Sequence, residues 1–142
     1  MIYTSMTKKA LKICFEAHKD QVDKTGIPYV FHPFHLAEQM DEEISTVCAL
    51  LHDVVEDSEI TFERLSEMGF PFEVICVLSL LTHEEDVPYM DYIQKIKQNP
   101  TATKVKIADL KHNSDSTRVD NPDEKMFKRW EKYAEAIRLL SE

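Results

Sequence analysis

The sequence predicts an all-α helical bundle, and three observations carry that prediction. Apolar residues recur at helical spacing through most of the chain. No segment sustains the strict apolar/polar alternation of a half-buried strand. Glycine occurs only at Gly26 and Gly69, and several prolines stand where a helix can begin.

The elements follow in chain order. Residues 4–19 place Ala10, Leu11, Cys14, Phe15 and His18 on one side of a first helix. A loop containing Asp23, Lys24, Thr25 and Gly26 leads to Pro28, and Pro33 opens a helix over 33–40. A third helix is predicted over 43–56, with Ile44, Val47, Cys48, Leu51 and Val55 apolar. Thr61 caps a short helix that stops near Gly69. Pro71 and Pro88 each open a further helix, and Thr101 is read as the cap of the next, which carries Val105, Ala108, Asp109 and His112. The last helix covers 122–140 and packs Phe127, Trp130, Tyr133, Ile137 and Leu140. Connections are short, so residues 1–142 are expected to form one domain.

Composition narrows the function classes. Seventeen Lys+Arg against 26 Asp+Glu give a net charge of -9, which disfavours nucleic-acid and anionic-membrane partners. No apolar run approaches the ~20 residues that span a bilayer. The first residues lack the basic and apolar regions of a secretory signal, so the cytosol is the expected compartment. Cys14, Cys48 and Cys76 are widely spaced among apolar neighbours and form no CxxC; they read as small buried hydrophobes. Assembly into a homo-oligomer is compatible with all of this. A phosphate substrate would need local cations to overcome the overall negative field, and a divalent metal with a few lysines would supply them.

The candidate metal ligands are His32, the adjacent pair His52-Asp53, and Asp109. At 49–57 an apolar helix abruptly presents His52, Asp53, Glu56 and Asp57. Burying such groups together is costly unless a cation compensates them. Glu56 and Asp57 stand one turn beyond the pair, placed to orient a metal-bound water or exchange a proton with it. A nitrogen and oxygen set without thiolate suits Mn²⁺, Fe²⁺, Zn²⁺ or Mg²⁺. Lys106, three residues before Asp109, either reaches a substrate phosphate or pairs with a buried carboxylate. His18 and His112 read as packing or supporting histidines, His35 as a surface or supporting one, and His83 as structural. The last helix offers no catalytic candidate.

Four blocks, AHKDQ (17–21), KTGIPYVFHP (24–33), ALLHDVVED (49–57) and VKIADLKHN (105–113), resemble the HD-domain superfamily. Within it they resemble the alarmone hydrolase domain of the RelA/SpoT kind and its small single-domain relatives. The resemblance implies an HD-type helical bundle with His32, His52, Asp53 and Asp109 as ligands to a metal, usually manganese. It implies that Glu56 and Asp57 handle the attacking water and that Lys24, Tyr29 and Asn113 lie near a nucleotide. The implied reaction is hydrolysis of guanosine 3′,5′-bis(diphosphate) at its 3′-pyrophosphate. The alternatives are a nucleotide monophosphate phosphohydrolase with the same metal set and a metal- and nucleotide-binding sensor without turnover. The chain departs from the family pattern at Asp23, where a basic residue is common, and at 110–117. The metal set is intact there, and positions of the substrate pocket are changed.

Overall fold

Capping side chains and prolines mark out the helices of the computed structural model, which describes residues 1–142. There is no strand, only an isolated antiparallel bridge between Val22 and Pro28. Helix α1 spans Ser5–His18, and Thr4 caps it reciprocally: each of Thr4 and Thr7 accepts the other's backbone N–H on its hydroxyl. Helix α2 is Phe31–Glu38, starting two residues before the predicted Pro33. Pro33 therefore sits in the first turn, where its missing N–H costs nothing.

The single helix predicted over 43–56 is two helices, α3 (Glu43–Leu51) and α4 (Val54–Asp57). The break falls at His52 and Asp53, where Asp53 takes φ -110° and ψ 2°, outside the helical region. Apolar periodicity could not reveal it, because Val54 carries the stripe onward and is itself buried. Adjacent residues of a continuous helix diverge by ~100°; the break lets His52 and Asp53 face one place.

Helix α5 (Phe62–Glu67) is capped by Thr61, which accepts from the N–H of Arg64. It is closed by Gly69 at φ +100°, a left-handed conformation that side chains disfavour. Helices α6 (Phe72–Leu81) and α7 (Tyr89–Lys97) follow Pro71 and Pro88 as predicted. Helix α8 (Pro100–Asn113) starts earlier than Thr101 suggested: Asn99 is the cap, and Pro100 is the first helical residue. An unanticipated 3₁₀ turn, Ser116–Arg118, leads to α9 (Glu124–Ser141), capped by Asp123.

Helix α3 is the spine. Every residue in 45–51 is buried, and the helix packs against α1, α2, α6 and α8. Phe15 and Phe127, read from the sequence as core, are exposed. Each stands off the buried stripe of its helix, which runs through Ala10, Cys14 and His18 in α1 and through Ala136 and Leu140 in α9. Cys14 and Cys48 are buried as expected, burial pushing both thiols up to about 12, while Cys76 is partly exposed. No helix is long and apolar enough to cross a membrane.

Leu50 lies fully buried within the spine. Leu50→Ala is expected to lower the unfolding free energy by about 2–5 kcal/mol, read as a reduced urea midpoint at unchanged slope. An unmoved midpoint would contradict the central place given to α3.

Candidate metal centre

Few polar side chains are buried in this bundle, and three of them converge. His32 comes from the first turn of α2, His52 from the residue closing α3, and Asp109 from the third turn of α8. They are only 4%, 5% and 5% exposed, and one ligand atom from each lies within 4.8 Å of the others. Such a group can hold a divalent metal ion. His32 Nε2 is 2.8 Å from Asp109 Oδ1; His52 Nε2 is 3.5 Å from the same oxygen and 3.0 Å from Asp53 Oδ2.

The protonation of His52 makes the case for a cation. Its Nδ1 lies 2.7 Å from the carbonyl oxygen of Ala49, which only accepts, so Nδ1 carries the hydrogen. In the neutral ring Nε2 is then a lone pair aimed at two carboxylates. That nitrogen is buried and makes no hydrogen bond. Lone pairs gathered this closely require a proton or a metal among them. Burial disfavours charge on His52, but Asp53 and Asp109 hold its pKa well above the usual histidine range. A divalent ion answers the same demand, and two imidazoles with carboxylate oxygen form a donor set that suits one.

Asp109 is compensated on every side. Lys106 Nζ lies 2.9 Å from Oδ2, and Asn113 donates to Oδ1 at 3.0 Å, both from the neighbouring turns of α8. Burial would raise its pKa, but Lys106, His32 and His52 hold its carboxyl well below the ordinary range. Of the two roles open to Lys106 in the sequence, the structure places the ammonium on this carboxylate, above the ring of Tyr92. Asp53 stands at the edge of the group, outside the three that converge most tightly. Its Oδ2 faces His52 and accepts the hydroxyl of Tyr29, a phenol that burial and Asp53 keep protonated by raising its pKa.

A cavity of about 140 Å³ opens beside the cluster, walled by His52, Asp53, Asp109, Glu56, Lys106, Asn113 and the aromatic rings of Tyr89, Tyr92 and Tyr133. Glu56 Oε1 accepts the backbone N–H of His83 at 3.0 Å. Partial burial, then Asp53 and Asp57, raise the Glu56 pKa against that hydrogen bond. Asp57 does not line this cavity; its backbone carbonyl is held by Gln21, just past α1. The predicted carboxylate couple is therefore divided, with Glu56 at the cavity and Asp57 beside it.

A larger cavity of about 360 Å³ adjoins the first through Asn113 and Tyr133. Lys24 and Tyr29 line it, so the four sequence-predicted substrate contacts fall on two connected spaces, with Lys106 in the smaller and Asn113 in both. Met126, Arg129 and Trp130 from α9 complete the wall. Sequence reasoning passed over these residues because their helical spacing also reads as packing. Trp130 is fixed by its indole N–H, which donates to the carbonyl of Asn113 at 3.1 Å. The unusual Asp23 accepts the N–H groups of Thr25 and Ile27 and pairs with Arg118 at 3.1 Å, so its charge is neutralised within the wall.

The remaining histidines lie outside the converging group. His18 is fully buried, its Nδ1 on Gln21 and its ring against Tyr29. His83 Nε2 meets the carbonyl of Val87. His112 Nδ1 faces His32 Nδ1, and His35 lies against the His112 ring. Burial, with His32, Arg118 and His35 nearby, pushes the His112 pKa down to about 4.

Fold and site together define an all-helical protein with a buried two-histidine, one-aspartate centre beside a polar cavity. No family model matches the chain. Among curated proteins it is similar to the zebrafish (Danio rerio) guanosine-3′,5′-bis(diphosphate) 3′-pyrophosphohydrolase MESH1, 32% identical over 78% of this chain and 68% of that one. It is also 30% identical, over 96% of its length, to 19% of a probable GTP pyrophosphokinase of Mycobacterium leprae. A solved structure described as a metazoan ortholog of SpoT that hydrolyzes ppGpp shares the fold, with TM-score 0.77 and 20% identity over 99% of this chain and 87% of that one. The chain belongs to the family of the MESH1 pyrophosphohydrolase, as the four motif blocks implied. It spans about a fifth or less of the longer relatives it matches.

Lys106 is the only lysine or arginine paired with Asp109. Lys106→Met is expected to cost the metal-free protein roughly 3–5 kcal/mol, the penalty for leaving a buried charge uncompensated. Urea unfolding in the presence of chelator measures it, and an undiminished midpoint would remove Lys106 from the account.

Proposed function

We propose that the chain is a manganese-dependent guanosine-3′,5′-bis(diphosphate) 3′-pyrophosphohydrolase, one domain over 1–142, with His32, His52, Asp53 and Asp109 as the metal ligands. The observation that carries the reading is the unpartnered Nε2 of His52, aimed at two carboxylates in a cavity that Glu56 also lines. The zebrafish relative, a guanosine-3′,5′-bis(diphosphate) 3′-pyrophosphohydrolase by name, supplies the substrate.

When bound, the ion supplies a Lewis acid for the phosphate oxygens and makes a nearby water more acidic. Water attacks the phosphorus attached to the ribose 3′-oxygen, and that P–O bond breaks. The water oxygen leaves with pyrophosphate, and one proton ends on the 3′-oxygen. Glu56 takes the proton from the water: its carboxylate borders the cavity, is oriented by the His83 N–H, and has a pKa raised toward neutrality. Partial burial, then the charges of Asp53 and Asp57, keep Glu56 basic.

The nucleotide lies across the two connected cavities. Lys24, Tyr29 and Asn113 contact it and Lys106 borders it from its place on Asp109, with Arg129 adding charge and Trp130 and Tyr133 offering rings for a base. These cations matter because the chain as a whole carries -9 and repels polyphosphates. The proposed setting is the cytosol, with a small-molecule nucleotide as partner; self-association as a homo-oligomer is compatible with it.

Incubating the Mn²⁺-loaded protein with guanosine 3′,5′-bis(diphosphate) is expected to yield GDP and pyrophosphate, resolved by ion-exchange chromatography. Orthophosphate as the only phosphate product, or no turnover, contradicts the proposal. Glu56→Gln is expected to lower kcat by about 10²–10⁴-fold while metal content is retained. Because the base must be ionised and its pKa is raised, activity should fall with decreasing pH above the range where an ordinary glutamate titrates. A wild-type profile flat through that range would remove Glu56 as the base.

A further inference from the structure

One imidazole beside the cluster has no part in the chemistry above. His112 lies on α8 three residues past Asp109, and its Nδ1 is 2.7 Å from Nδ1 of His32. The two rings are tilted by only 11° with centroids 4.9 Å apart. With the nitrogens so much closer than the centroids, the rings meet edge to edge, and an N–H of one points along the in-plane lone pair of the other. Two ring nitrogens at this distance share one hydrogen: one donates and the other accepts.

The other nitrogen of His32 decides the direction. His32 Nε2 lies among the converging ligand atoms, 2.8 Å from Asp109 Oδ1. To bind a cation it must offer a lone pair, so the ring hydrogen moves to Nδ1 and His112 Nδ1 must accept it. His112 is itself held in place. The His35 ring lies against it at 4.2 Å, and its carbonyl accepts from the Arg118 guanidinium at 2.7 Å. It borders a third cavity of about 430 Å³ with His35 and Phe34, which meets the larger nucleotide cavity at Asp23, Thr25 and Arg118, and it does not itself line either cavity assigned to the nucleotide.

We propose that His112 is the positioning residue of the metal ligand His32: it accepts the Nδ1–H and thereby fixes the tautomer that turns the Nε2 lone pair toward the ion. This rests on the reading of His32 as a ligand. The partner of a ligating histidine commonly governs affinity about 10–100-fold, and the same loss is expected here when the acceptor is removed.

The test compares wild type, His112→Phe and His112→Gln for Mn²⁺ affinity by competition with a chelator. The phenyl ring keeps the bulk and lacks the acceptor, whereas the glutamine amide oxygen can accept. His112→Phe should bind Mn²⁺ about 10–100-fold more weakly, and His112→Gln should recover most of the loss. Nitrogen-15 NMR of the Zn²⁺-loaded wild type gives a reading that needs no variant to fold: His32 should be protonated at Nδ1 and His112 unprotonated at Nδ1. The opposite proton placement, or equal Mn²⁺ affinity in His112→Phe and wild type, overturns the inference and leaves the proposed function standing. A wild type that binds neither ion overturns both.

Discussion

The buried carboxylate of Asp109 is the constraint around which the rest of the molecule is arranged. Left alone in an apolar interior it would cost several kcal/mol. It is instead surrounded by Lys106 and Asn113 from its own helix, His32 from α2 and His52 from the end of α3. Three helices are thus tied to one oxygen pair. The apolar packing around α3 supplies the rigidity that keeps those donors converged, so the stability of the bundle and the geometry of the site are one problem.

The break between α3 and α4 serves that arrangement. It brings Asp53 beside His52 and starts a short helix that carries Glu56 to the cavity. The segment after α6 then completes the placement. The N–H of His83 holds the Glu56 carboxylate, and His83 is in turn fixed by the Val87 carbonyl and the Tyr92 ring. Negative charge accumulates in this corner, with Asp53, Glu56, Asp57 and Asp109 close together. One lysine and two histidines offset it only in part, which is the electrostatic condition a divalent cation relieves.

Much of this was legible in the sequence because its signals were local. Apolar periodicity placed α1, and Thr61, Pro71 and Pro88 placed the starts of α5, α6 and α7, each within a residue or two. The ligand candidates were visible as polar residues breaking into apolar stripes. The interruption at 52–53 was not legible, since Val54 and Val55 continue the helical pattern across it. Asn99 was missed as a cap because Thr101 offered an equally good hydroxyl. The role of Lys106 depends on which way a flexible side chain turns, and no spacing rule decides that. The separation of Glu56 from Asp57 reflects contacts with His83 and Gln21, residues distant in sequence. Arg129 and Trp130 lie on a helix whose pattern reads equally as packing, so their part in the larger cavity appears only once α9 is laid beside α8.

Family membership and buried geometry support the same centre by independent routes. The chain is 32% identical to a named pyrophosphohydrolase over 78% of its length. The unpartnered nitrogen of His52 and the crowded carboxylates call for a proton or a metal ion among them whatever the family is. The most direct test is anomalous diffraction from a crystal soaked in Mn²⁺. The account predicts one strong manganese peak enclosed by His32 Nε2, His52 Nε2 and Asp109 Oδ1. A well-ordered crystal with those three side chains in place and no manganese between them would contradict it.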